Sequence, residues 1–93
     1  SWTTKQLETF SFDLMISSCA SVQDGVTHER SLDTKILKHT AFTRSKRKVL
    51  IVDHTKFSAY GTYRSAALSE YDLVVTDAPP PEELLDGSIN FIY

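Results

Sequence analysis

Asp53 and Lys56 stand three positions apart just beyond the apolar run Val49-Leu50-Ile51-Val52. A carboxylate and an ammonium so placed have two uses. They pair with each other and close a turn, or they meet a ligand, the Lys as a compact point charge for a phosphate or carboxylate. In the second case the Asp anchors the Lys or accepts hydrogen bonds from sugar hydroxyls. His54, between them, has a side chain that titrates near neutrality when unperturbed, and is otherwise an ordinary surface residue. Other chemistries fit less well. His28, His39 and His54 show no metal-ligand spacing with one another or with Cys19, so neither a metal nor a cofactor is expected. Gly25, Gly61 and Gly87 lie too far apart for a phosphate-cradling loop, and no nucleophile elbow surrounds Ser17, Ser18 or Ser21. Cys19 has no activating neighbour and reads as a small core residue. Asp77 ends a second apolar run, Leu73-Val74-Val75-Thr76, as a further ligand contact or as a turn cap. Tyr60-Gly61-Thr62-Tyr63 offers aromatic cover to a ligand, or only exposed tyrosines.

The elements that must position these groups follow from the same runs. Val49-Leu50-Ile51-Val52 is β-branched at three of four positions and suits a strand buried on both faces of a parallel sheet. Ligands in open α/β sheets sit beyond the carboxyl ends of the strands, where Asp53 and Lys56 fall. Residues 12–18 predict a first strand, with the small residues Ser18-Cys19-Ala20-Ser21 at its carboxyl end, and Asp24-Gly25 marks a turn. A short opening helix fits residues 2–10. A longer helix fits residues 31–42, capped by Ser31, with Leu32, Ile36, Leu37, Thr40 and Ala41 on one side and Lys35 and Lys38 turned away. The basic run Arg44-Ser45-Lys46-Arg47-Lys48 reads as a solvated connection into the central strand. Residues 62–68 predict an extended segment, with a single turn at Ser69-Glu70. Residues 82–86 predict a short helix started by Pro79-Pro80-Pro81, and residues 89–93 a last strand. Strands interleaved with helices imply an α/β fold, a mostly parallel sheet flanked by helices.

With 93 residues, 41% of them hydrophobic and 24% charged, the chain reads as one soluble globular domain or part of one. It opens on Ser, which suggests a piece of something longer. A single cysteine excludes an internal disulfide and fits a reducing cytoplasm, and no apolar stretch approaches the roughly 20 residues that span a bilayer. The net charge of −2 hides a division: the chain is basic from Arg30 to Arg64 and carries no Lys or Arg afterwards. That basic half lacks the charge density of a nucleic-acid surface.

In order along the chain, Phe12-Asp13, Asp24-Gly25-Val26-Thr27, Asp33-Thr34-Lys35-Ile36, Val52-Asp53-His54-Thr55-Lys56-Phe57 and Val74-Val75-Thr76-Asp77 resemble the C-terminal sensor domain of DeoR-type bacterial transcriptional regulators. The Asp-x-Thr-Lys-Phe element is the most specific part. The resemblance implies a ribose-5-phosphate-isomerase-like fold that binds a phosphorylated sugar or related metabolite. It also implies an N-terminal helix-turn-helix, absent from this chain, through which the parent protein binds operator DNA. It places Lys56 and Asp53 in the effector pocket, with Ser18, Ser21, Asp24 and Thr27 in a second wall and Asp33 where the family usually has Glu. Glycines common in the family are replaced by Ser18 and Ser21, and a further strand-loop-helix unit of the family lies outside this chain. The expected role is a non-enzymatic, cytoplasmic, homo-oligomeric effector sensor of a repressor of sugar metabolism. A fragment of an aldose–ketose isomerase is the alternative, and it sits poorly with a loop after the first strand that has no acid before Asp24. A dimerisation module without ligand is the third reading.

Overall fold

The run Val49-Leu50-Ile51-Val52 forms the end of an inner strand of a parallel sheet. The computed structural model describes residues 2–93. After helix α1 (Trp2–Leu7) come strand β1 (Phe12–Ser17), a hairpin of β2 (Ser21–Gln23) and β3 (Val26–Glu29), and helix α2 (Leu32–Thr43). Strands β4 (Ser45–Val52), β5 (Tyr63–Ala67), β6 (Leu73–Thr76) and β7 (Phe91–Ile92) follow, joined through 3-10 turns at His54–Ser58, Leu68–Glu70 and Glu82–Leu84. The parallel sheet has the order β1-β4-β6-β7, with Ile16 beside Val49 and Val52 beside Thr76. The expected α/β fold with a mostly parallel sheet is therefore present. No helix is long and apolar enough to cross a membrane among the described residues.

A second, antiparallel sheet, β2-β3-β5, was not expected. Its hairpin turns on Asp24 and Gly25, both at positive φ (53° and 73°), the two-residue geometry that Asp-Gly favours. The flanking strands are short, and the small polar residues before the turn carry no clear alternation. β3 has a register irregularity between Val26 and His28. There Thr27 Oγ1 donates to Ala66 O (3.1 Å) and accepts from Ala66 N (3.0 Å), which ties β3 to β5.

The core lies between the two sheets, where Leu50, Val52 and Val74 meet Cys19, Val22, Ala66, Leu68 and Tyr71. Phe42 of α2 closes it, edge-on to Tyr71 at 5.2 Å. Several expectations change. β4 begins at Ser45, because the basic run pairs with β1 (Leu14 with Arg47, Met15 with Lys48), and the Lys48 ammonium lies over the Phe42 ring. The central strand is buried on one face only, since Ile51 is exposed. Helix α2 is rotated from the expected orientation: Leu32 and Ile36 face solvent, whereas Lys38 reaches the buried Glu29 carboxylate at 3.1 Å. A buried acid needs its counter-charge, and that need outweighs burial of two aliphatic side chains. The last strand shortens to Phe91–Ile92, and the acidic turn after the prolines to Glu82–Leu84.

Candidate functional site at the carboxyl edge of the parallel sheet

Three strand ends build this edge: Ser18 and Cys19 after β1, Asp53 to Lys56 after β4, and Asp77 after β6. Asp53 is extended (φ −83°, ψ 167°) and caps the 3-10 turn. Its carboxylate accepts from Thr55 N at 2.8 Å and from the Thr55 hydroxyl, and these bonds hold it below the usual carboxylate range. Asp77 reaches across from β6: Oδ1 accepts from His54 N (2.7 Å) and Oδ2 meets His54 Nδ1 (3.0 Å). That contact raises the His54 pKa and lowers that of Asp77. The His54–Asp77 pair was not foreseen, because nothing local in sequence links residues on two different strands.

Lys56 sits in the middle of this turn, half-buried, and forms no ion pair among the described residues. Lys38, the other ammonium near the edge, is held by Glu29 and by Ser18 O at 2.7 Å. The charges of both lysines act on the buried Cys19 thiol. Burial and the Glu29 charge push its pKa up to about 11, against the opposing pull of Lys38 and Lys56. At neutral pH it is a protonated core group and a poor nucleophile.

The structure gathers Ser18, Asp53 and Lys56 at this edge. Ser21, two residues past Cys19, is fully buried and its hydroxyl has no hydrogen-bond partner among the described residues; the same holds for Thr76 Oγ1 at the carboxyl end of β6. Thr27 is committed to the β3–β5 junction. Asp24 stands at the hairpin turn and Asp33 is exposed in the first turn of α2. The 3-10 turn packs against β2, and beyond it opens a cleft of about 420 Å³ walled by Asp24, Phe57, Tyr60 and Glu83. Lys56 is not part of its wall. A neighbouring cleft of about 270 Å³ shares Asp24 and Glu83 and adds Asp86. Carboxylates without a cation give both concavities the wrong sign for a phosphate. No group of three or more His, Cys, Asp or Glu suited to a metal occurs among the described residues.

Comparison with known proteins agrees with this architecture. The deoxyribose operon repressors of Escherichia coli strains K12, O6:H1 and O157:H7 are each 36% identical to the chain over 53 residues. The matched stretch is 57% of this chain and 21% of each repressor, so it spans about a fifth of those relatives. The family described as the DeoR C terminal sensor domain matches residues 1–78, most of the chain and all three strand ends of the site. The chain belongs to the DeoR C-terminal sensor domain family.

Proposed function

We propose that this domain is the effector-sensing part of a DeoR-type repressor and that it recognises a phosphorylated sugar at the carboxyl edge of the parallel sheet. The observation that carries this reading is the Lys56 ammonium. It is half-buried at the strand ends and unpaired among the described residues, while Lys38 nearby is neutralised by Glu29. A phosphate supplies the missing counter-charge. Ser18 and Asp53 flank the position, and the unsatisfied hydroxyls of Ser21 and Thr76 mark the same end of the sheet as polar beyond what internal packing uses. Asp24, Thr27 and Asp33 stand further out and act on the shape of the hairpin and on the start of α2. Binding favours one arrangement of the sensor, and an attached helix-turn-helix then changes its hold on operator DNA. An isomerase role finds less support. The Asp53 and Asp77 carboxylates are both held low and are weak bases, and the segment from Ser18 through β2 to Gln23 carries no acid.

The test is thermal unfolding with 2-deoxyribose 5-phosphate, ribose 5-phosphate, inorganic phosphate and unphosphorylated deoxyribose. A phosphorylated sugar in excess over its Kd raises the midpoint by mass action, and Lys56→Met removes the shift. Equal shifts with unphosphorylated deoxyribose, or a shift that survives Lys56→Met, refute the reading.

A further inference from the structure

Two ammoniums stand near the carboxyl ends of β1 and β4, and one acid decides how many of them are free. Glu29 closes β3, beside Tyr63 of β5, with its side chain 6% exposed. Its carboxylate holds Lys38 Nζ at 3.1 Å, and the same nitrogen donates to Ser18 O at 2.7 Å, just past the end of β1. β1 and β4 are neighbours in the sheet, Ser17 beside Leu50, so Ser18 and the turn that carries Lys56 follow adjacent strands. Besides burial, the charges of Glu29, Lys38 and Lys56 all act on the Cys19 thiol, which brings the three within electrostatic reach of one residue. Apolar residues of similar volume commonly stabilise a fold as well as a buried ion pair does. Stability alone therefore does not account for an acid at this place.

We infer that Glu29 is a specificity-determining residue: by occupying Lys38 it leaves one free ammonium at the edge and makes the site selective for a sugar monophosphate over a bisphosphate. The inference rests on the reading that Lys56 receives a phosphorylated sugar. A phosphate monoester carries a charge of about −1.5 to −2 near neutrality. The first such group meets Lys56, which forms no ion pair among the described residues. A second, brought to the Ser18 side, meets Lys38 already neutralised. The carboxylates of Asp53 and Asp77, bonded within the turn, add repulsion along the same edge. Specificity often comes from such repulsion of the wrong ligand. The Lys38 side chain is 28% exposed, so a ligand can reach it. With a neutral amide in place of the Glu29 carboxylate, that ammonium becomes a partner for a second phosphate.

Calorimetric titration of the 93-residue protein with ribose 5-phosphate and ribose 1,5-bisphosphate tests this. The unaltered protein is expected to bind the bisphosphate no more tightly than the monophosphate. Glu29→Gln should tighten the bisphosphate by about tenfold or more, and the monophosphate by about threefold at most. Adding Lys38→Met should abolish that gain. A purely structural role for Glu29 predicts weaker binding or no change, never a gain for one ester. Binding that depends on Lys56 but keeps its original ratio in Glu29→Gln overturns the inference and leaves the reading of Lys56 standing. Should Glu29→Gln not fold, the ratio in the unaltered protein decides. A ratio of one or below supports the inference, and a bisphosphate bound about tenfold tighter overturns it. Binding of neither ester, or binding indifferent to Lys56→Met, removes the reading and the inference with it.

Discussion

Replacing Lys38 with Met should remove the partner of the most deeply placed charge in the fold. The Glu29 side chain is 6% exposed and that of Lys38 28%, with 3.1 Å between nitrogen and oxygen. Among the described residues Lys38 is the one cation in ion-pair reach of this carboxylate, and it also donates to Ser18 O. Removing one member of a fully buried pair costs roughly 3–5 kcal/mol. Partial exposure of the ammonium lets water take over some of its role, so the expected loss is about 2–3 kcal/mol. For a domain of this size that lowers Tm by about 10–20 °C. A double-mutant cycle separates the pair from the packing of the long side chain. Glu29→Gln in the Lys38→Met background replaces a stranded charge with a neutral amide and should recover about 1 kcal/mol or more. Urea unfolding followed by circular dichroism reads all four corners. A single-variant loss below about 0.5 kcal/mol, or a cycle that is additive within that margin, would refute the view that Glu29 dictates the rotation of α2.

Gly61 lies so close to β3 that an added Cβ would sit 2.8 Å from His28 Cβ and 3.0 Å from the His28 carbonyl carbon. Gly61→Ala should therefore cost about 1–3 kcal/mol by pushing the loop off the strand, and an unchanged melting curve would contradict the close approach. The His54–Asp77 pair should strengthen the fold within a defined pH window. The raised His54 contributes below the ordinary imidazole value of 6.5 and loses its effect as pH rises through its folded pKa. The lowered Asp77 contributes above the ordinary 3.8 and loses its effect as pH falls through its own. An NMR titration of His54 should give a value above 6.5 that falls in Asp77→Asn; identical titrations would show that the contact is absent in solution. Cys19, with its pKa pushed up to about 11, should resist alkylation at pH 8 in the folded protein and react readily once urea unfolds it. Fast native-state labelling would place the thiol outside the core.

The two apolar runs ending in Asp were enough to locate the inner strands and their carboxyl ends, because a strand inside a parallel sheet is rich in apolar residues and ends where the chain turns to water. What escaped the sequence is non-local. The orientation of α2 depends on Glu29, a residue whose burial becomes visible only when β3 is seen packed beneath the helix. Judged by periodicity alone, Leu32 and Ile36 belong inside. The β2–β3 hairpin is built from segments of three and four residues, too short for an alternation pattern to stand out, and only its Asp-Gly turn was readable. The basic run before Val49 resembles a linker by composition. It pairs as a strand because Phe12 to Met15 offer it a ladder, and because its side chains reach solvent or, at Lys48, an aromatic ring.

Asp53 and Asp77 show how a strand end can present a cation while appearing acidic in sequence. Each carboxylate is occupied by backbone N–H groups of the same turn, Asp53 with Thr55 and Asp77 with His54. The Asp53 carbonyl in turn accepts from Lys56 N at 3.1 Å. Three successive amides are thus tied down within one short 3-10 segment, which fixes the direction in which Lys56 leaves the backbone. The negative charges are engaged in shaping the turn, while the Lys56 ammonium forms no ion pair among the described residues. A ligand anion at this edge would meet a lysine whose backbone is already ordered, so the freedom lost on binding is that of the side chain alone. On this view Asp53→Asn acts on Lys56 through the turn. It should weaken capture of a phosphorylated sugar less than Lys56→Met does, because an amide still caps a turn but Met carries no charge.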